Sequence, residues 1–600
     1  MPLQGIDWAF IIGFFVVSLI IGLAVVKKAG KSSTEFFLSG RNMPWWLLGV
    51  SMVATTFSSD TPNLVTDIVR QNGVAGNWVW WAFLLTGMLT VFVYAKLWRR
   101  SQVLTDLEFY ELRYSGKAAA FLRGFRAIYL GVFFNIMIMA TVSLAIIKIG
   151  GVMLKLTPVQ TLLIASLVTV AYSALGGLRG VLITDFFQFG IAMVGAIGAA
   201  IVAVRLPQVG GLSSLLTNDA VVSKLNILPD FSNLEALIPL LILPLAVQWW
   251  SVWYPGAEPG GGGYIAQRML SAKTEKHAIK ATLLFTATHY ALRPWPWIIV
   301  ALCSLVVFPN LEALRAAFPH VDPSVIRHDM AYPAMLTFLP RGLLGLVVAS
   351  LVAAFMSTIS THLNWGSSYI VNDLYKRFVN PEASDKRQVR VGRISTVSLM
   401  ILASLVALLL RNALQAFNIL LQIGAGTGLL FILRWFWWRI NPFSEITAMV
   451  VSFSAAVYLQ ILHPFTGLPE ISSHVQLLLG VAVTTVCWIT VTFITSPSET
   501  KTLRSFYRLV KPGGPGWKKV IEQAEKDNDS VETPGKSWDV PAGILCMVLG
   551  CFAVYSVLFA VGYWIYGKNT LAFILSALAA TAIFFMTKTW KKLRVVNNPG

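Results

Sequence analysis

Apolar runs of about 20 residues recur along almost the whole chain, each long enough to cross a bilayer as a helix. They fall at 7–27, 45–67, 74–98, 122–153, 160–177, 180–205, 234–254, 278–308, 330–373, 390–411, 413–437, 445–463, 474–496, 541–566 and 570–587. The pattern predicts an all-α polytopic membrane protein of about fifteen transmembrane helices. The first run is preceded by Asp7, and no small-residue cleavage site follows it, so it reads as a retained helix rather than a signal peptide.

The polar connections alternate. Lys27, Lys28 and Lys31 follow the first run, and Lys96, Arg99 and Arg100 follow the third. "QRMLSAKTEKHAIK", "DLYKRFVNPEASDKRQVRVGR", "RWFWWRIN" and "KTLRSFYRLVKPGGPGWKKV" are further basic connections, and "KTWKKLRVV" follows the last run. The connections between them are poor in Lys and Arg. By the positive-inside rule the N-terminus lies outside and the C-terminus in the cytosol of a plasma or inner membrane. One segment, 497–538, has soluble character ("EQAEKDNDSVETPGKSW") and reads as a cytosolic tether, too short for a catalytic domain.

Composition narrows the class further. Of the 600 residues 56% are hydrophobic and only 12% charged, against about 25% charged in a soluble domain. The net charge of +19 sits in the connections, which argues for a lipid-bilayer partner and no nucleic acid. Cys303, Cys487, Cys546 and Cys551 all lie in apolar runs without metal-type spacing and are expected to be free thiols.

Polar groups at bilayer depth are costly, and mark function by default. The run 45–67 carries Thr55, Thr56, Ser58, Ser59, Asp60, Thr61 and Asn63 around Pro62, which predicts an unwound segment with free carbonyls. The run 234–254 ends in Trp249, Trp250, Trp253 and Tyr254 and then "PGAEPGGGG", aromatics suited to a solute wall or an interfacial belt. Arg293 lies near the middle of 278–308 and needs a partner: Asp60, a substrate carboxylate, or nearby rings and water. In "LVAAFMSTIST" (351–361), Ala354, Ser357, Thr358 and Thr361 share one helix face with Ser360 beside it. Such hydroxyls either bond back to their own helix and glue neighbours or offer a hard cation such as Na⁺ several neutral oxygens.

No enzyme constellation accompanies these features. The seven histidines form no HExxH, no nucleophile elbow is present, and "GGGG" lacks the Lys-Ser/Thr of a phosphate loop. "IGAGTG" lacks the strand–helix setting of a dinucleotide fingerprint.

Five ordered stretches carry a resemblance: "FFLSGRNMPWW" (36–46), "VATTFSSD" (53–60), "AYSALGGLRGVLITDFFQ" (171–188), "YIAQRMLSAKTEKHA" (264–278) and "LVAAFMSTISTHLNWGSSYIVNDLYKR" (351–377). The chain resembles the sodium:solute symporters, the family of the sodium–glucose, sodium–proline and sodium–sialic acid transporters. It departs from the pattern at Gly180, where a small Ser, Ala or Pro is usual. It departs also in the longer connection before Gln267–Arg268, and in Asp60–Thr61, where sugar-transporting members tend to carry Glu-Gln.

The resemblance implies a LeuT-like core of two inverted five-helix repeats, 45–205 and 206–440. Around it would lie an N-terminal helix and linker (1–44), peripheral helices (441–496), the 497–538 linker and a C-terminal helical pair with a basic tail (539–600). It implies a sodium-coupled symporter importing a small polar solute, sugar-like before amino acid or carboxylate, by alternating access; a transporter-fold sensor is the rival from another class. The shared sodium site would be the carbonyls of Ala54, Phe57 and Ala354 with Ser357 and Thr358. A second sodium site would use Asp185, Ser357, Ser360 and Thr361. The substrate positions would be Thr56, Asp60, Thr61, Trp78, Asn135, Trp250, Trp253, Tyr254, Arg293 and Gln422.

Overall fold

In hydrocarbon every backbone amide must be bonded within its own segment, so apolar runs fold as helices. The computed structural model follows that rule. It describes residues 4–56, 58–251, 258–319, 321, 326–410, 424, 426–531 and 538–595. Among them there is no β-strand, only one isolated bridge between Met43 and Ala272. Phe57, Trp253, Tyr254 and Gln422 lie outside the described residues.

In chain order the helices that position the site are α1 (Gly5–Ala29), α2 (Trp45–Thr56), α3 (Thr61–Asn72), α4 (Val74–Ser101) and α5 (Gly116–Gly151). They continue with α6 (Pro158–Val204), α7 (Leu234–Ala246), α8 (Gly263–Ser271), α9 (Glu275–Val307), α10 (Leu343–Val379) and α11 (Asp385–Leu409). Then come α12 (Pro442–Phe465), α13 (Ser473–Ile494), α14 (Thr500–Val510), α15 (Val540–Ile565) and α16 (Asn569–Trp590).

Eleven helices are long and apolar enough to cross a membrane among the described residues, so the count of fifteen is not established. The expected spans at 45–67 and 234–254 are instead shorter apolar helices, Trp45–Thr56 and Leu234–Ala246, whereas 160–177 lies wholly within α6. The reason is local. Pro62 opens α3, where its missing amide hydrogen costs nothing. Gly177 interrupts α6 at φ 54°, and a Cβ there would meet the Phe36 carbonyl oxygen at 2.7 Å. Residues 413–423 and 425 of the expected span 413–437 lie outside the described residues. The expected span 330–373 begins only at α10, because Pro340 and Gly342 (φ 79°) separate it from a short helix at Ala331–Leu336.

α10 is the core of the molecule. Its most apolar window is 83% buried, more than that of any other span, whereas α13 and α16 are only 22% buried and turn apolar faces outward. The hydroxyls of α10 are therefore enclosed by α2, α5, α6 and α11 rather than facing lipid. Asp7 of α1 fixes the start of α10, with one carboxylate oxygen accepting from the Gly342 and Gly345 amides at 2.8 and 2.9 Å.

Within the 497–538 segment, expected to be a tether, the described residues 497–531 pack on the helices. Trp517 is fully buried, stacks on Phe506 of α14 and donates its indole N–H to the Trp435 carbonyl at 2.9 Å. The Arg113 guanidinium lies 4.8 Å from the same indole ring. Arg504 pairs with Asp527 and Asp529, closing the segment on itself. Those bonds hold the Asp527 and Asp529 carboxyls below their ordinary range.

Candidate functional site

The break between α2 and α3 leaves the last carbonyls of α2 without helical partners. Two neighbours supply them. Thr358 of α10 donates its hydroxyl to the Thr55 carbonyl at 2.9 Å. Arg293 donates to the carbonyls of Val53 and Thr56 and to the Thr56 hydroxyl, all at 3.0 Å, with its guanidinium 5.1 Å from the Trp297 ring. A cation at a helix C-terminus also meets the negative end of the helix dipole. The helix end, rather than Asp60, is thus where Arg293 is anchored. α9 positions it by a π-turn over Thr288–Leu292 followed by Pro294, which swings the side chain toward the break.

The two proposed sodium clusters adjoin this break. Ala54, Ala354, Ser357 and Thr358 are buried there, and the Thr358–Thr55 bond joins α10 to α2. On the far side of Ser357 lies Asp185 of α6. One of its oxygens accepts from Ser357 at 2.7 Å and the other from Ser51 at 2.5 Å. Thr361 stands 3.0 Å from the Thr55 hydroxyl, while Ser360 donates to the Ser357 carbonyl of its own helix at 3.1 Å.

Beside the break opens a cavity of about 250 Å³. Its lining includes the polar Thr55, Thr56, Ser58, Asp60, Thr61, Arg293 and Thr358 and the aromatic Trp80, Phe83, Tyr264 and Tyr290. Lys148, paired with Asp329 at 2.9 Å, also lines it, as does Asp67.

Of the positions expected to bind solute, Thr56, Asp60, Thr61 and Arg293 line this cavity. Trp78 does not; it donates to the Ile227 carbonyl at 3.0 Å and packs on Tyr555 and Phe559, and Trp80, two residues on, lines the cavity in its place. Asn135 is also elsewhere, clamping α5 to α10 through the His362 carbonyl and ring nitrogen at 2.9 and 2.5 Å. Trp250 is not among the lining residues and packs against Trp249.

Sequence reasoning missed three groups. His289 lines the cavity with its Nδ1 3.2 Å from the Thr56 hydroxyl. Arg268 and Ser51 complete the Asp185 cluster: Arg268 Nη2 donates to Thr361 at 2.8 Å and to Ser51 at 3.2 Å, and lies 3.8 Å from Asp185. One signal pointed to His289, an ionisable side chain inside an apolar run. For Ser51 there was none.

Comparison with known proteins identifies the family. The model of the sodium:solute symporter family matches residues 36–451. The chain is 27% identical over 466 residues to a sodium/glucose cotransporter of Vibrio parahaemolyticus, covering 74% of this chain and 83% of that one. It is 24% identical to the sodium/sialic acid symporter SiaT of Proteus mirabilis, covering 75% and 89%. It is 26% identical to the sodium/myo-inositol cotransporter 2 of Oryctolagus cuniculus, covering 74% and 68%. A solved structure of a Na⁺-coupled sialic acid symporter, substrate-bound and outward-open, shares the fold with a TM-score of 0.63 at 20% identity, covering 83% of this chain and 99% of that one. More than two thirds of the chain, including the helix break, Asp185 and the α10 hydroxyls, lies inside the matched stretch, and the protein is thereby a member of the sodium:solute symporter family: an integral-membrane, sodium-coupled transporter and not an enzyme.

Proposed function

We propose that the protein imports a small polar organic solute, sugar-like before amino acid or carboxylate, together with one or two Na⁺ by alternating access. The observation that carries this reading is one residue shared by two sites. Thr358 lines the cavity and also meets the α2 end, so ion and solute face the same broken helix.

The first Na⁺ is assigned to the carbonyls of Ala54, Phe57 and Ala354 with the hydroxyls of Ser357 and Thr358. The donor set suits it, being all oxygen and neutral except for the adjacent Asp185. A second Na⁺ is assigned to Asp185, Ser357, Ser360 and Thr361. The Thr358 hydroxyl can offer a lone pair to Na⁺ while its hydrogen stays on the Thr55 carbonyl, so the ion would sit against the α2 end through a residue already bonded to it. The inverted-repeat plan (45–205 and 206–440) and an outside N-terminus complete the proposal.

The solute is assigned to the cavity. A lining that combines aromatic rings with hydroxyls and Asp60 suits a polyhydroxylated molecule, rings covering apolar faces and oxygens meeting hydroxyls. The names of the relatives, cotransporters of glucose, sialic acid and myo-inositol, favour the same class. Arg293 is committed to the α2 carbonyls, which weighs against a carboxylate solute docking on it. The driving force is adequate: each Na⁺ crossing 100 mV supplies about 2.3 kcal/mol, so two sustain a gradient of roughly 10³ for a neutral solute.

The experiment is uptake into proteoliposomes of labelled glucose, myo-inositol, sialic acid and proline, with an inward Na⁺ gradient and with K⁺ in its place. Accumulation only with Na⁺ supports symport. Na⁺-dependent binding without accumulation would make the protein a transporter-fold sensor.

A further inference from the structure

The Asp185 cluster contains a cation of its own. Ser51, Asp185, Arg268, Ser357 and Thr361 are all fully buried. The Arg268 guanidinium reaches into the cluster from α8, lying 3.8 Å from Asp185 and donating to Thr361 and Ser51 at 2.8 and 3.2 Å. Among the described residues Asp185 and Arg268 form ion pairs only with each other. Two of the four oxygens assigned to a second Na⁺, those of Thr361 and Asp185, therefore already face a positive charge.

We propose that Arg268 is a tethered cation that competes with Na⁺ for this cluster, so that a second Na⁺ loads only as the guanidinium withdraws. This rests on the reading of Asp185 as a sodium ligand. The argument is one of charge. A single buried carboxylate balances one cation, and a second cation beside it in a low-dielectric pocket is repelled. Guanidinium and Na⁺ also want the same atoms. Arg268 needs the Thr361 lone pairs as acceptors, and Na⁺ needs them as ligands.

The exchange has a mechanical consequence. Arg268 is the side chain through which α8 is fastened at once to α2 (Ser51), α6 (Asp185) and α10 (Thr361). Its neighbour Gln267 adds only the Phe37 carbonyl and Asn364. Displacing the guanidinium would remove the bonds from α8 to Ser51, Asp185 and Thr361, while Gln267 and the buried face of α8 keep it packed. Loading of the second ion would thus loosen α8 against α2 and α6.

The test is equilibrium binding of radiolabelled Na⁺ to the purified full-length protein in nanodiscs, at ionic strength held constant with choline chloride. In wild type the second Na⁺ binds weakly. Arg268→Gln removes the charge and is expected to tighten that ion by about tenfold or more, as one like charge a few ångström away predicts. Arg268→Lys keeps the charge and is expected to stay near wild type. Adding Asp185→Asn to Arg268→Gln should abolish the gain. If Arg268→Gln binds Na⁺ as wild type does, or if Gln and Lys tighten it equally, the competition is wrong. If Asp185→Asn leaves Na⁺ binding unchanged in both backgrounds, the second-site reading itself fails, a separate result. Should Arg268→Gln fold poorly, its melting temperature decides. Competition predicts that NaCl rescues this variant more than KCl does, whereas equal rescue by both salts overturns it.

Discussion

Thr358→Ala is the sharpest perturbation of the proposed sodium site. The hydroxyl has two employments. Without Na⁺ it donates to the Thr55 carbonyl at 2.9 Å in a buried setting. With Na⁺ it is a ligand and its lone pair faces a charge. A neutral hydrogen bond is worth about 0.5–1.5 kcal/mol net, and one involving a charged group about 1.5–3 kcal/mol. The alanine variant loses the hydrogen bond in both states and the ion ligand only in the Na⁺-bound one, so that state is weakened more, by about 1.5–3 kcal/mol. That corresponds to a rise of about 10- to 150-fold in the Na⁺ concentration for half-maximal response. The assay is a Na⁺ titration of melting temperature, repeated as a Na⁺ titration of solute uptake once a transported solute is in hand. Thr358→Ser retains the oxygen and should lie close to wild type, which separates the ligand from the methyl group. The variant should also lose about 1–3 kcal/mol of stability in K⁺, because the Thr55 carbonyl is left without its donor. A half-maximal concentration equal to that of wild type, with the K⁺ destabilisation present, would refute the sodium assignment and leave Thr358 as helix glue.

Two further outcomes are expected. Arg293→Gln removes the fork that joins the Val53 and Thr56 carbonyls, at a cost of about 3 kcal/mol or more in stability. Uptake should fall with it, whereas Arg293→Lys should restore part of the stability without restoring the bidentate geometry; uptake unchanged in Arg293→Gln would show the α2 end to be held by something else. Trp517→Ala removes the buried anchor of the 497–538 segment, a loss of about 3–5 kcal/mol for a large aromatic side chain. Limited proteolysis of folded protein should then cut this segment far faster than in wild type, and an unchanged rate would mean that Trp517 does not hold it.

Much of the fold was legible from the chain, because the bilayer leaves an apolar run few alternatives to a helix. Where reading failed, Gly and Pro had cut a run that hydropathy averages smoothly across, as at Pro340–Gly342. The packing of residues 497–531 was not legible, because a polar surface is the same in sequence whether its few aromatics are buried or not. Only the packing of Trp517 on Phe506 and the Trp435 carbonyl distinguishes the two.

The sequence by itself determined the membrane class, the break near Thr56–Pro62 and the hydroxyl face of α10. Each follows from periodicity or from a residue's own backbone chemistry, which act over a few neighbours. The tertiary structure alone decided partners. It turned Arg293 toward helix carbonyls rather than Asp60, sent Trp78 and Asn135 away from the cavity while bringing Trp80 and His289 to it, and set Arg268 beside Asp185. These are pairings between residues separated by tens to hundreds of positions. Which buried charge meets which oxygen is fixed by how the helices cross, and no local pattern carries that information.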